Sequence, residues 1–128
     1  MRLGYVILYV PDVAATIAFY ERAFGLKRRF VHENQYGEME TGATALAFVN
    51  EDFVAGLVPS FARNRPQGTP SGVEVALVSD DVAGSFKRAV DAGAVAVLAP
   101  MQKPWGQTVS YVRDLNGCLV EVCSAMAG

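Results

Sequence analysis

The stretch LGYVILYVPDVAATIAFYERAFGL, residues 3–26, is typical of one strand followed by one helix. Leu3 to Val10 is rich in β-branched and aromatic residues, and Pro11 ends it because proline cannot donate a hydrogen bond to a sheet. Asp12 is a favourable helix N-cap, apolar residues then recur at helical spacing, and Gly25 can adopt the left-handed conformation that ends a helix. The stretch therefore predicts an amphipathic helix packed on a sheet.

The same pattern occurs again in the second half of the chain. Residues 73–79 are predicted to form a strand, Asp80 or Asp81 can cap a helix, and Gly93 can end that helix. The separation from Asp80 to Gly93 equals that from Asp12 to Gly25. An internal repeat explains this equal spacing. Three short strands are predicted after each helix, at residues 27–34, 36–41 and 44–50 and again at 95–99, 107–113 and 119–123.

The repeat predicts an α+β fold of two βαβββ modules in a single domain. The first module covers about residues 1–50 and the second about residues 73–128. Between them, about residues 51–72 are rich in proline, glycine and arginine, which predicts a long linking loop.

Composition excludes several classes of protein. The chain has 128 residues, of which 52% are hydrophobic and 19% charged, and its net charge of −2 comes without the basic stripe that nucleic-acid binding needs. The apolar N-terminal run is too short to span a membrane, and no cleavage site follows it. Cys118 and Cys123 stand too far apart on one strand to form a disulfide, so we expect reduced thiols in a cytoplasmic protein.

Four short motifs resemble the signatures of the vicinal oxygen chelate superfamily, which includes glyoxalases, bleomycin-resistance proteins and extradiol dioxygenases. They are YVPDV (9–13), AFY (18–20), FGL (24–26) and the closing VRDLNGCLVE (112–121), in which Val112 and Leu115 depart from the usual phenylalanine and proline. The resemblance covers essentially the whole chain. It implies a cup-shaped, eight-stranded mixed sheet, usually in a homodimer, with a ligand or metal site inside the cup.

The resemblance also implies where a metal would be held. Metal-using members take ligands from the first, fourth, fifth and eighth strands, and at these positions the chain has Tyr5, Ala47, Glu74 and Glu121. Glu121 matches the last ligand, whereas the Ala47 methyl group donates nothing to a metal. We therefore expect no cofactor, with a divalent metal ion held by Glu121 and Glu74 in a rearranged site as the alternative.

Glu74 and Glu121 are the candidate catalytic residues. Each interrupts an otherwise apolar strand, and a buried carboxylate is costly unless it is paired or hydrogen-bonded. If the two meet, repulsion and desolvation would raise at least one pKa and produce a general base. The alternative is that each pairs with an arginine, such as Arg2 or Arg113, or points to solvent.

Other residues are candidates for lining the ligand site. Glu38 and Glu40 are expected on the solvated side of the third strand, with a contribution to the cup as the alternative. Trp105 lies on an irregular segment, where its ring could stack on a planar or cationic ligand or could instead plug the end of the sheet. The predicted ligand-binding set is Tyr5, Tyr9, Phe48, Trp105, Gln107, Tyr111 and Arg63, the last holding a carboxylate or phosphate unless its loop is only a solvated connector.

These observations predict a dimeric, small-molecule-binding protein of the glyoxalase/bleomycin-resistance type, binding a polar or cationic ligand in the cup. The alternative is a glyoxalase-like lyase or isomerase that uses Glu74 and Glu121, with a metal or by acid/base catalysis alone. A structural or regulatory domain is the third possibility. We expect neither nucleic acid nor membrane as a partner.

Overall fold

The computed structural model describes residues 1–126. The chain divides into two compact units, Met1–Asn64 and a second unit that begins at Arg65. Within residues 1–126, no helix is both long enough and apolar enough to cross a membrane.

The first unit is one βαβββ module followed by a short helix. Its sheet has the strand order β1-β4-β3-β2, in which β1 is parallel to β4 and the other neighbours are antiparallel. Its elements are β1 (Tyr5–Val10), α1 (Val13–Phe24), β2 (Lys27–His32), β3 (Tyr36–Glu40), β4 (Ala45–Asn50) and α2 (Glu51–Ala55).

Helix α1 is fixed at both ends by the residues that the sequence marks. The Asp12 side chain accepts a hydrogen bond from the Ala15 amide at 3.0 Å, and Gly25 has a φ of 66°, the left-handed conformation expected of a C-terminal glycine. A second cap comes from the β2–β3 turn, where Asn34 Oδ1 accepts from the Ala14 amide at 2.7 Å. The helix is therefore tied to the sheet by a polar contact as well as by its apolar face.

The core of the first unit lies between α1 and one face of the sheet. Ile17 and Tyr20 are fully buried, and the Tyr20 ring lies 4.8 Å from that of Phe48 on β4. Gly37 on β3 has no side chain, and a Cβ there would collide with Ile17. The helix can approach the sheet closely because position 37 is glycine.

The second unit repeats this topology. Its strand order is β5-β8-β7-β6, with β5 parallel to β8. Helix α3 packs on the sheet, where Val112, Val120 and Val122 are buried beneath it. The elements are β5 (Glu74–Val78), α3 (Val82–Asp91), β6 (Val95–Gln102), β7 (Thr108–Arg113) and β8 (Leu119–Cys123).

The fold class is confirmed, with the eight predicted strands forming two four-stranded mixed sheets, one in each unit. The predicted linking loop needs one correction, because its first residues form α2. Asn50 Oδ1 accepts from the amides of Asp52 and Phe53, and this cap starts the helix directly at the end of β4. The boundary between the units falls after Asn64, inside the predicted linking segment.

Candidate functional site

The strand register of the second unit brings the two predicted acids together. Glu121 on β8 pairs with Ala76 on β5, and Glu74 lies two residues before Ala76. Because side chains alternate along a strand, Glu74 and Glu121 project from the same face of the sheet. The opposite face carries Val120 and Val122, which are buried in the core.

Tyr111 completes the group from the neighbouring strand. It lies directly opposite Glu121 in the β7–β8 register, and its hydroxyl donates a hydrogen bond to Glu121 Oε1 at 2.9 Å. Cys123, two residues after Glu121, also lies within hydrogen-bonding reach of that carboxylate. We call Glu74, Glu121, Tyr111 and Cys123 the acid cluster.

The two carboxyl groups have opposite pKa shifts. The pKa of Glu74 is raised to about 7, first by its hydrogen bond with Glu121 and then by burial and the Glu121 charge. Burial also raises the pKa of Glu121, but hydrogen bonds from Glu74, Tyr111 and Cys123 outweigh burial and leave it lowered. Below about pH 7 the pair therefore holds one shared proton.

The other two members of the acid cluster are hydrogen-bond donors. Burial and the nearby carboxylates raise the pKa of Tyr111 to about 12 and that of Cys123 to about 11. Both groups are therefore protonated at neutral pH, and Cys123 lacks the thiolate that a nucleophile requires.

No positive charge compensates the acid cluster within the described residues. The groups that shift the pKa values of Glu74 and Glu121 are the members of the cluster themselves. Arg113, considered from the sequence as a partner, instead donates to the backbone oxygens of Gly117, Arg65 and Gly68. The alternative in which these acids pair with Arg113 is therefore not the arrangement in the structure.

The acid cluster does not, by itself, fit a divalent metal ion. Two carboxylates, a phenol and a thiol are present, and none of the four side chains is an imidazole. First-row metals bound by proteins usually take three or four imidazole, carboxylate or thiolate ligands. Across residues 1–126, no group of three or more histidine, cysteine, aspartate or glutamate residues is placed to hold a metal.

The first unit contains a related polar group, in which an arginine pairs with the buried carboxylate. Tyr36 donates to Glu38 Oε2 at 2.7 Å, and Arg29 Nη1 lies 3.2 Å from Glu38 Oε1. Arg29 also binds Glu40, through Nε at 3.0 Å. Glu38 is buried rather than solvated, so the expectation of a solvated side chain is wrong for this residue.

Strand register explains how the two units differ. Glu38 pairs with Ala47 in the first unit, at the positions that Tyr111 and Glu121 occupy in the second. Ala47 has no carboxylate where the second unit has Glu121, and Glu38 on the neighbouring strand supplies one instead. The contact between Tyr36 and Glu38 was not predicted from the sequence, although their i, i+2 spacing places both on one face of β3.

The other predicted ligand-binding residues of the first unit are distributed differently. Phe48 is fully buried against Tyr20, so its prediction as a lining residue is corrected: it belongs to the core under α1. The Tyr9 ring packs edge-on against Phe61 at 4.9 Å. Tyr5 is exposed at the start of β1.

Arg63 is held by neighbouring residues in the first unit. Its guanidinium forms ion pairs with Glu51 and with Asp52, the latter at 2.8 Å, and lies 5.5 Å from the centre of the Phe61 ring. These contacts fix the segment that follows α2. The predicted binding of a ligand carboxylate or phosphate by Arg63 would have to compete with two carboxylates of the chain itself.

Trp105 is an exposed ring in a fixed position. It lies on the loop between β6 and β7 with 59% of its surface exposed. Its Nε1 donates to Gln107 Oε1 at 2.9 Å, and Gln107 Nε2 donates to the Ser124 carbonyl at 2.9 Å. An indole held in this way is available for stacking, and its exposure is at odds with a role as a buried plug.

Comparison with known proteins agrees with the architecture. The family model for the Glyoxalase/Bleomycin resistance protein/Dioxygenase superfamily matches residues 2–122. No curated protein sequence matches the chain.

Several solved structures share the fold at low sequence identity. A glyoxalase-related enzyme from Fulvimarina pelagi is 21% identical, with a TM-score of 0.79 over 98% of this chain and 88% of that chain. TioX from Micromonospora sp. ML1 is 23% identical, with a TM-score of 0.72 over 97% of this chain and 98% of that one. A superfamily member from Sphaerobacter thermophilus is 17% identical, with a TM-score of 0.72 over 98% of both chains.

Proposed function

Because the chain belongs to the Glyoxalase/Bleomycin resistance protein/Dioxygenase superfamily, we propose that it is a small-molecule-binding protein whose acid cluster takes a cationic ligand. One observation carries the proposal: Glu74 and Glu121 share one face of the second sheet without a compensating positive charge among the described residues. A ligand cation placed between them would relieve their repulsion and displace the shared proton.

Trp105 supports a ligand that also has a planar group. Gln107, which holds the indole, directly precedes β7 and lies four residues before Tyr111. A strand rises about 3.3 Å per residue, so the two ends of the site are separated by roughly 13 Å. An elongated molecule with a planar aromatic end and a cationic end fits these two anchors.

A calorimetric titration tests this proposal. Bleomycin-type glycopeptides and simpler aromatic amines are titrated into the wild-type protein, Glu121→Gln, Trp105→Ala and the control Asp80→Asn, which removes an exposed carboxylate of the same unit. We expect Glu121→Gln and Trp105→Ala to weaken binding about tenfold each, since each removes one anchor worth about 1.4 kcal/mol. Asp80→Asn should bind like the wild type. Failure of every cationic compound to bind saturably would remove the proposal.

A second candidate function, acid/base catalysis, is favoured by the Glu74 pKa of about 7. A carboxyl group that titrates near the working pH can remove and return a proton, as a lyase or isomerase acting next to a carbonyl requires. The test is exchange of substrate protons with deuterated solvent in the presence of a chelator. Exchange that persists with chelator and is lost in Glu74→Gln supports catalysis, whereas exchange equal in both proteins contradicts it.

The proposal includes a homodimer in the cytoplasm. Apolar side chains are exposed on each unit, among them Ile7 on β1 and Val78 and Val97 on β5 and β6. Exposed apolar groups of this kind often mark an interface between subunits. Cys118 and Cys123 are both free thiols, which suits a reducing compartment.

A further inference from the structure

We propose that the first unit contains a second binding site, which takes a small oxyanion, either the carboxylate or the phosphate group of a ligand. The site is a cavity of about 650 Å³ that we call the arginine pocket. Arg2, Tyr5 and Arg29 line it, together with the turn at Gly42 and Ala43. It shares no residue with the acid cluster.

Hydrogen bonds hold the walls of the arginine pocket in place. Thr44 Oγ1 donates to the Leu3 carbonyl at 2.9 Å, and the Ala45 amide donates to the Gly4 carbonyl at 2.9 Å. Thr41 Oγ1 in turn donates to the Thr44 carbonyl at 2.7 Å. The segment that carries Arg2 and Tyr5 is therefore fixed against the β3–β4 turn before any ligand arrives.

The arginine pocket is open space rather than poorly packed core. A Cβ added at Gly4 or at Gly42 would meet nothing within 4 Å. Gly42 has a φ of 100°, which allows the turn that forms one wall. Ligand atoms could therefore approach the backbone of this turn closely.

The charges of the arginine pocket favour an anion. Its lining residues include two arginines and no aspartate or glutamate. Glu38 and Glu40 hold the Arg29 guanidinium in one position, and these two carboxylates more than offset its single charge. Arg2 is therefore the lining cation that an anion can bind, because it forms no ion pair within the described residues.

The donor groups match an oxyanion better than any other simple ligand. A guanidinium presents paired N–H donors whose spacing fits two oxygens of a carboxylate or phosphate. The Tyr5 hydroxyl adds a further donor at the cavity wall. Because Arg2 is the one lining arginine that no carboxylate of the described residues binds, we expect weak binding that decreases as salt is added.

The test is a titration of two probes, inorganic phosphate and benzoate, followed by amide NMR at constant ionic strength. Wild type, Arg2→Gln and the matched control Arg28→Gln are compared; Arg28 lies on the same strand as Arg29 but outside the pocket, where it pairs with Glu21. We expect saturable shifts at Gly42 and Ala43, about tenfold weaker binding in Arg2→Gln, and binding within about twofold of wild type in Arg28→Gln.

The two probes distinguish the source of the oxyanion. Saturation by benzoate alone identifies a carboxylate ligand, and saturation by phosphate alone identifies a phosphorylated ligand. Saturation by both probes shows that the pocket recognises the chemistry that the two oxyanions share. The proposal would be overturned if neither probe saturates, or if Arg2→Gln and Arg28→Gln weaken binding equally. Circular dichroism melting of both variants checks that a change in binding does not come from loss of fold.

Discussion

At the scale of single residues, the charge of each glutamate is decided by its neighbours. Glu38 is buried but accepts hydrogen bonds from Tyr36 and Arg29, which offset the cost of burying its charge. Glu121 keeps its charge through donors on both sides, whereas Glu74 faces that charge and binds a proton more tightly. Three glutamates on two similar sheets thus have three different environments.

The raised pKa of Glu74 makes the free energy of unfolding depend on pH. The folded protein holds this proton up to about pH 7, whereas the unfolded chain releases it near the ordinary value of 4.5. The contribution of Glu74 to stability is therefore complete below about pH 4.5 and is lost as the pH rises through 7.

Glu74→Gln should consequently stabilise the protein at pH 8 and have little effect at pH 4. We expect a gain of about 1 kcal/mol at pH 8, well below the full linkage value because Glu74 is partly exposed and solvent screens its charge. Thermal melts at both pH values measure the difference. Asp80→Asn is the control, and an equal change for Glu74→Gln at both pH values would contradict the assignment.

At the scale of elements, Gly37 determines how closely α1 packs on the first sheet. The methyl group of an alanine at this position would overlap Ile17 and approach Val13 and the Phe30 carbonyl. Overpacking of a core usually costs 1–3 kcal/mol, because side chains leave their preferred rotamers.

We therefore expect Gly37→Ala to lower the free energy of unfolding by about 2 kcal/mol. Urea denaturation provides the measurement, and Gly4→Ala is the matched control because a Cβ there meets nothing within 4 Å. A Gly37→Ala protein as stable as Gly4→Ala would show that the helix lies farther from the sheet than described.

The sequence alone predicted the elements whose first and last residues are typical helix caps. Asp12 and Gly25 mark the ends of α1, and the repeated spacing identifies the second module. The face of Phe48 could not be predicted, because residues 45–49 are all apolar and alternation carries no information there. Its pairing with Gly37 in the β3–β4 register shows that it lies under the helix.

Part of the candidate site could also be predicted from the sequence. An isolated glutamate in each of two apolar strands indicated Glu74 and Glu121, and the parallel register of β5 and β8 places them on one face. The buried group around Glu38 could not be predicted from the sequence, because strand alternation alone favours a solvent-facing position for a glutamate on β3. Arg29 reaches it from the neighbouring strand, a contact that only the tertiary structure reveals.

At the scale of the whole molecule, a duplicated module has diverged into two units whose sheet carboxylates have different partners. The first pairs its buried carboxylate with an arginine, and the second has left its acid cluster without a compensating charge among the described residues. Such divergence within one fold is the usual way that a binding site becomes specific for one ligand.

We expect the protein to be a dimer in solution, because each unit exposes apolar side chains such as Val78, which is 65% exposed. Light scattering coupled to size exclusion should give twice the chain mass of 13.7 kDa. Val78→Asp should shift the protein towards the monomer, since a charge in an apolar interface is costly. A mass of one chain at every protein concentration would contradict the expectation.

The most direct measurement is a pH titration of the glutamate side-chain carboxyl carbons by NMR. If Glu74 and Glu121 share a proton, the signal of Glu74 should move with a midpoint near pH 7, and that of Glu121 should titrate below the usual range. In Glu121→Gln the Glu74 midpoint should fall towards 4.5, because the opposing charge is gone. Ordinary midpoints for both residues in the wild-type protein would show that the carboxyl groups do not meet, and the proposed site would be lost.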